Sequence, residues 1–533
     1  MNKSQQIRFC LSALITLLGY IFFISLQNVI ESHPPLQVGI LMALGFGCVF
    51  WIITSPKFFH QFVRETSAES LAIIRIIVCS ITFFIILLFS DVSQTALLPE
   101  SMIQPMGVMQ FFYVIPGLME LGRNQGFLQI LQWVTALILF LGIIGWQTRI
   151  AIPLGALCFL FLGGIERQYS YLTHQGIILF DLLIVLSFTP CGNALSIDSY
   201  RNFSPKESNS DSQEMLSIYG WSRYACWVTV AVTYFIAGMS KLRIGGFFWW
   251  EPINLKTKLY QCSLIPCDNI SNFDYSLKLI HAPDLMFAIF GIFGFFGELA
   301  FVLVLFYQNF RIVFPLLMIS MHIGILFLQN VLFIDFILLQ LIFFDLEKVK
   351  IIFPKKLSLF PSIKLPLFKF KLSKINQQTN VKNSILFYPS MISMIVIILS
   401  ISWYYQFKFY PLTPWAVYSN RQTSGKITYY KLNANYESGY SGSAHPEKLS
   451  TDSLYNAYKT AIKNCFSEEK AQVAICEEFV QVYPELNKQN IDRKNQIKSL
   501  KLEQWQWDFK KYPGDKNYGN LIDSRSYNIE NNQ

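Results

Sequence analysis

Charge is what this sequence has least of. Only 14% of its 533 residues are Asp, Glu, Lys or Arg, against roughly 25% in soluble domains. That deficit argues against a wholly water-soluble fold. Metal motifs are missing too: there is no HExxH, no paired-Cys spacing and no cluster among the six histidines, so a zinc site is not expected. No P-loop or GxGxxG precedes a helix in a polar stretch, and no Ser/His/Asp triad can be assigned. The formal charge is +9, but no basic face is gathered in a polar domain, so nucleic acid is not an expected partner. No A-x-A site follows the first apolar run, which is too long for a cleavable signal peptide. No internal repeat is visible.

What is abundant is apolar surface, at 53% of residues with 16% aromatic. Most of it precedes residue 405, in runs long enough to cross a bilayer as helices. Backbone groups in lipid must pair internally, so each run is read as a helix. Eleven spans are expected: 8–29, 37–54, 70–90, 127–146, 150–165, 175–190, 222–240, 284–307, 311–330, 331–347 and 384–404. The segment 95–118 is apolar but carries three prolines, which suits a re-entrant or interfacial piece better than a span. Between 348 and 383 lie nine lysines and no acid. By the positive-inside rule this linker is cytoplasmic, and it suits contact with anionic lipid. Eleven spans with a cytoplasmic N-terminus place the linker inside and the tail outside. The loop 241–283, with Lys241, Arg243, Lys256, Lys258 and Lys278, runs against that rule.

The tail alternates as a strand at Tyr430, Leu432, Ala434 and Tyr436. A helical face follows at Leu454, Tyr458, Ala461, Ile462 and Cys465. A second strand alternates at Leu500 and Leu502, then at Trp505, Trp507 and Phe509, with a phase slip that suggests a bulge or bend. The expected fold is an all-α multi-pass transmembrane bundle of about 11 spans with a C-terminal extracytoplasmic α+β domain. Its parts are two N-terminal helices (1–61), a helical core (62–347), the basic linker (348–383), a last span (384–405) and the tail domain (406–533). Cys10, Cys48, Cys79, Cys158, Cys191 and Cys226 lie in or beside apolar runs. Cys262, Cys267, Cys465 and Cys476 lie in polar segments, where an oxidising compartment favours disulfides. Spacing does not choose their pairing.

Ionisable groups inside spans are costly and mark candidate functional sites. Arg75, Asp181, Glu298, His322 and Asp335 fall in apolar runs. Pairing among Glu298, His322 and Asp335, or with Arg75, is the structural alternative to catalysis. Lys241 ends the run YFIAGMSKL. At a helix end it is either a headgroup anchor or, packed in an apolar pocket, a base whose ammonium has lost its solvation.

Four pieces occur in an order that resembles the horizontally transferred transmembrane (HTTM) family, which includes vitamin K-dependent γ-glutamyl carboxylase. They are SLAIIR (70–75), SYLTHQGIILF (170–180), YFIAGMSKL (234–242), similar to YFIAGVKKL, and YPLTPWAVYSNRQTSGKITYY (410–430). The resemblance spans roughly 62 to 512 and implies a carboxylase/epoxidase-like lyase in the plasma or inner membrane. It would take reduced vitamin K or a related quinol, O2 and CO2, and act on a secreted or membrane peptide at the outer face. It implies that Lys241 is the base that deprotonates the quinol. A γ-proton then leaves a glutamate and carbon dioxide adds. His322 and Glu298 match family positions. Arg75, Glu298 and Tyr234 are expected on the quinol side, and His322 among the catalytic groups. Two departures stand out. Ser240 replaces the first lysine of KKL, removing a cationic neighbour of Lys241. Tyr169 stands where the carboxylase has a histidine that stabilises the reacting glutamate, with His174 about one helical turn further on. Two other functions stay open: a membrane maturation factor for a secreted peptide or toxin, as in sporulation-delaying-protein maturation, and a non-catalytic lipid-binding or transport protein.

Overall fold

The computed structural model describes residues 3–27, 36–88, 90, 92–169, 174–201, 213–265, 275–346, 381–444, 452–487 and 497–529. Almost all of the lysine linker, and Cys267, lie outside these residues.

The main helices are α1 (Lys3–Gln27), α2 (Leu36–Ile53), α3 (Ala68–Leu88), α4 (Gln125–Ile144), α5 (Thr148–Arg167), α6 (Ile177–Ser187), α7 (Gln213–Ser240), α8 (Pro252–Leu264), α9 (Asp284–Ala300), α10 (Phe310–Gln329), α11 (Ile334–Leu339), α12 (Val381–Tyr405), α13 (Asp452–Asn464) and α14 (Lys470–Asn487). Local chemistry sets several ends. Asn124 caps α4 by accepting the Phe127 N–H at 2.9 Å, and Gly145 ends it in the left-handed region at φ 71°. A side chain at Gly145 would strike Ser196 and the Arg75 guanidinium.

Each of the eleven expected runs is helical, but they are not equal. Among the described residues, seven helices are long and apolar enough to cross a membrane: 68–88, 125–144, 148–167, 214–245, 284–305, 310–329 and 387–405. The run 37–54 belongs to a pair of helices bent by 64°. The runs 8–29, 175–190 and 331–347 give shorter apolar helices, at 5–21, 177–187 and 334–343. The segment 95–118 is broken into short turns, and its Phe111, Val114 and Ile115 are exposed. The most enclosed long helix is α7, 83% buried over its apolar window, whereas α10 is 22% buried. So α7 forms the axis of the bundle, and α10 turns a broad apolar face outward.

The tail holds a four-stranded antiparallel sheet in the order β2 (Ser441–Ser443), β1 (Lys426–Tyr436), β3 (Ile497–Asp508), β4 (Asn520–Asn528). Leu432 pairs with Leu502 and Ala434 with Leu500, while Ile427 pairs with Trp507 and Tyr429 with Trp505. Leu432, Ala434, Leu500 and Leu502 pack with Tyr458, Ala461, Phe479 and Val480 of α13 and α14. At the other end Ile427, Tyr429, Trp507 and Phe509 pack with Leu255, Leu259 and Tyr260 of α8 and with Phe287. The two groups lie on opposite faces, because alternate side chains point opposite ways. The phase slip seen in the sequence therefore has a packing cause: each end of the sheet buries a different face. An irregularity does fall at Gln504/Trp505, but the extra residue, Ile522, is on β4. Cys465 and Cys476 form a disulfide, and Cys262 is disulfide-bonded as well.

Candidate functional site

A cavity of about 440 Å³ lies beside the C-terminal end of α7. Its volume is within the usual range for small-molecule sites. One wall is the α7 face of Tyr234, Ala237 and Lys241, spaced three and four residues apart as one helical face requires. The opposite wall comes from α9, with Phe290, Gly294 and Glu298, and from α10, with Met321 and His322. Trp415, Val417 and Tyr418 of the tail complete it.

The motif glycine explains the close approach. A Cβ on Gly238 would lie 2.8 Å from Leu299 Cγ and 2.9 Å from its backbone nitrogen. Without it, α7 meets α9 closely enough for Lys241 Nζ to donate to Glu298 Oε2 at 2.6 Å. Both side chains are buried, at 5% and 11% exposure. Lys241 opens one π-helical turn, Lys241–Gly245, a distortion common at functional sites. Gly245 lets Ser419 and Trp249 close in, since a Cβ there would sit 2.7 Å from Ser419 O and 2.5 Å from the indole.

Further into the core, Tyr234 Oη and His322 Nε2 share a hydrogen bond of 2.9 Å. Gln340 Nε2 donates to the same phenol oxygen at 2.9 Å. Three buried polar atoms on residues of the cavity wall have no hydrogen-bond partner among the described residues: His322 Nδ1, Gln329 Oε1 and Trp415 Nε1. Buried polar groups are nearly always satisfied, so these three are exceptions gathered on one cavity wall.

Lys241, Glu298, His322, His174 and Tyr234 meet at this cavity. Arg75 and Tyr169 do not line it. Arg75 is fully buried and donates to the carbonyls of Cys191 at 3.0 Å and Leu195 at 2.6 Å. That arrangement ties α3 to the 191–195 turn. Tyr169 is buried at the end of α5, where burial pushes its phenol up to about 12. The sequence alternative, pairing among Glu298, His322 and Asp335, is not what forms. Each finds a separate partner, and Asp335 accepts the backbone N–H groups of Gly176 and Phe336, both at 2.9 Å. Asp181, on α6, is also off the cavity wall.

His174 lines the cavity, whereas Tyr169 does not. Its ring lies 5.5 Å from that of Trp415. Burial, together with Arg167 and Lys241, holds its pKa down to about 3, so the imidazole is neutral. Ser240 faces away from the cavity and donates to Pro414 O at 2.8 Å. The cation near Lys241 is instead Lys258, from α8. Both ammonium groups approach the Trp249 ring, at 5.3 and 5.9 Å. Lys258 donates to Asn420 O at 2.5 Å, and burial, then Lys241, lowers its pKa to about 8. Sequence reasoning missed Lys258 and Trp249. A lysine one helix away along the chain carries no spacing signal, and only the loop's unusual basicity hinted at it.

No family model, curated protein or solved structure matches this chain.

Proposed function

We propose that this is an integral membrane enzyme that carries out quinol-dependent oxygenation and carboxylation of a peptide at the outer membrane face, with Lys241 as the base. The observation that carries this reading is a lysine–carboxylate pair buried in an apolar cavity with unsatisfied polar atoms on its wall. A reduced quinone fits that wall: its flat ring matches the aromatic lining of Phe290, Phe333 and Trp415. Its two hydroxyls match His322 Nδ1, Gln329 Oε1 and the Lys241 amine. When bound, it would supply the reducing equivalents for oxygen chemistry.

The residues divide the work as follows. Glu298 holds the Lys241 side chain at the cavity wall through their 2.6 Å hydrogen bond. As the base, the Lys241 amine takes a proton from a bound hydroxyl. His174, neutral and beside Trp415, hydrogen-bonds the substrate carboxyl at the tail side. Lys258 supplies positive charge close to any anion formed there. Tyr234, His322 and Gln340 hold the back wall rigid through their shared hydrogen bonds.

The topology belongs to the same proposal: about eleven crossings, an inner lysine linker and an outer tail. In its support, α8 packs on the tail sheet and residues 410–422 run past the end of α7, so loop 241–283 and the tail lie on one side. Two disulfide-bonded sites on that side suit an oxidising compartment. The test supplies membranes with reduced naphthoquinone, oxygen and labelled bicarbonate. Quinone epoxide made by the native protein and lost in Lys241→Ala supports the reading, and label in a peptide adds carboxylation. Equal epoxide from both refutes the role of Lys241. Loss of a peptide's maturation without quinone turnover favours the maturation-factor function instead.

A further inference from the structure

A second cavity, of about 450 Å³, lies beside Arg223 and Trp227 near the middle of α7 and belongs to no step above. Arg64, Arg223 and Arg311 line it, with Glu65 and Asp345 as its carboxylates. The cations therefore exceed the anions by one. Trp227 organises the cluster. The Arg223 and Arg311 guanidiniums lie 4.6 and 4.3 Å from its ring centre, and its N–H donates to Ile342 O at 2.8 Å. Two like charges are thus held on one indole by cation–π attraction.

The partners of Arg311 are all neutral: Val304 O at 3.0 Å, Phe62 O at 3.2 Å and Leu305 O at 3.5 Å. Arg64 donates to the amide oxygen of Gln308 at 3.3 Å. Neither guanidinium has a carboxylate partner among the described residues. Bringing Arg64 and Arg311 together without carboxylate partners costs repulsion, and an oxyanion in the cavity relieves it. Planar guanidinium donors match phosphate oxygens in particular.

Position along α7 gives the setting. Arg223 precedes Lys241 by eighteen residues, roughly 27 Å along a helix. A bilayer's hydrocarbon core is about 30 Å thick. With Lys241 near one boundary, the arginines reach the other, where lipid phosphates lie. Phe344, Asp345 and Leu346 also line the cavity, directly before the lysine-rich linker.

We propose that this cavity is a phosphate-binding site, with Arg64 and Arg311 taking the oxygens. The phosphate comes either from an anionic phospholipid headgroup or from free phosphate. The test is native mass spectrometry of the full chain in detergent with phosphatidylglycerol, phosphatidylcholine or inorganic phosphate. Phosphatidylglycerol retained by the native protein and bound about ten-fold more weakly by Arg64→Gln/Arg311→Gln supports the site. Resistance of that complex to millimolar inorganic phosphate identifies the lipid as the source. Displacement by phosphate, or phosphate binding alone with the same arginine dependence, identifies free phosphate. Should the double variant fail to fold, Arg64→Gln alone carries the test, because Arg64 is exposed. Equal binding by native and variant proteins, or no binding of any phosphate species, overturns the proposal.

Discussion

Lys241 and Glu298 sit 2.6 Å apart with little exposure, so removing one strands the other. Lys241→Met is expected to destabilise the protein by about 3–5 kcal/mol, as breaking buried pairs does. Adding Glu298→Gln should recover much of that stability without recovering activity. Thermal unfolding in detergent reads the first effect and quinone turnover the second. Lys258 gives a pH signature. Its pKa falls to about 8 on folding, from an ordinary value near 10.4. Between those values the unfolded chain binds more protons, so stability should rise with pH across that window. Lys258→Met should flatten the rise. A melting curve with the same slope in both proteins would contradict the assignment. At this scale the sequence was informative about types and poor about partners. An ionisable residue in an apolar run is visible as a cost, which marked Glu298 and His322, whereas Lys241 ends its run and was singled out by the resemblance of YFIAGMSKL. Which of them meet depends on helix rotation, which the sequence does not state. Arg75 shows the limit: its place in an apolar run was legible, but the carbonyls that absorb its donors lie more than a hundred residues away.

The motif YFIAG does its work as an element. Gly238 permits the approach of α9, and Tyr234, Ala237 and Lys241 share the cavity face. Gly238→Val should push α7 away from Leu299 and cost about 1–3 kcal/mol, as overpacking does. It should also lower quinone turnover, although residue 238 touches no substrate in this reading. Unchanged turnover would show that the closeness of α7 and α9 is not needed. The tail strands were legible from their alternation. The change of phase between Leu502 and Trp505 was visible, but its reason was not. It follows from α13 and α14 covering one face while α8 covers the other. Helix length was the less legible property: 331–347 reads as a continuous apolar run, yet the backbone tightens after Leu339 and ends at Phe343.

Across the whole molecule, α7 links two chemically different cavities, one apolar with a lysine–carboxylate pair and one polar with three arginines. The proposed orientation puts the first on the tail side. Ser438 is exposed at the end of β1, so Ser438→Cys should react in intact cells with a thiol reagent that does not cross membranes. Reaction only after lysis would invert the topology. The central claim is that Lys241 acts as a base inside its cavity. The most direct measurement is the rate of quinone epoxide formation by purified protein in liposomes, comparing Glu298→Gln with Lys241→Met/Glu298→Gln. Loss of a positioned general base predicts a rate at least about 100-fold lower in the double variant, with both proteins folded. Equal rates would contradict the claim.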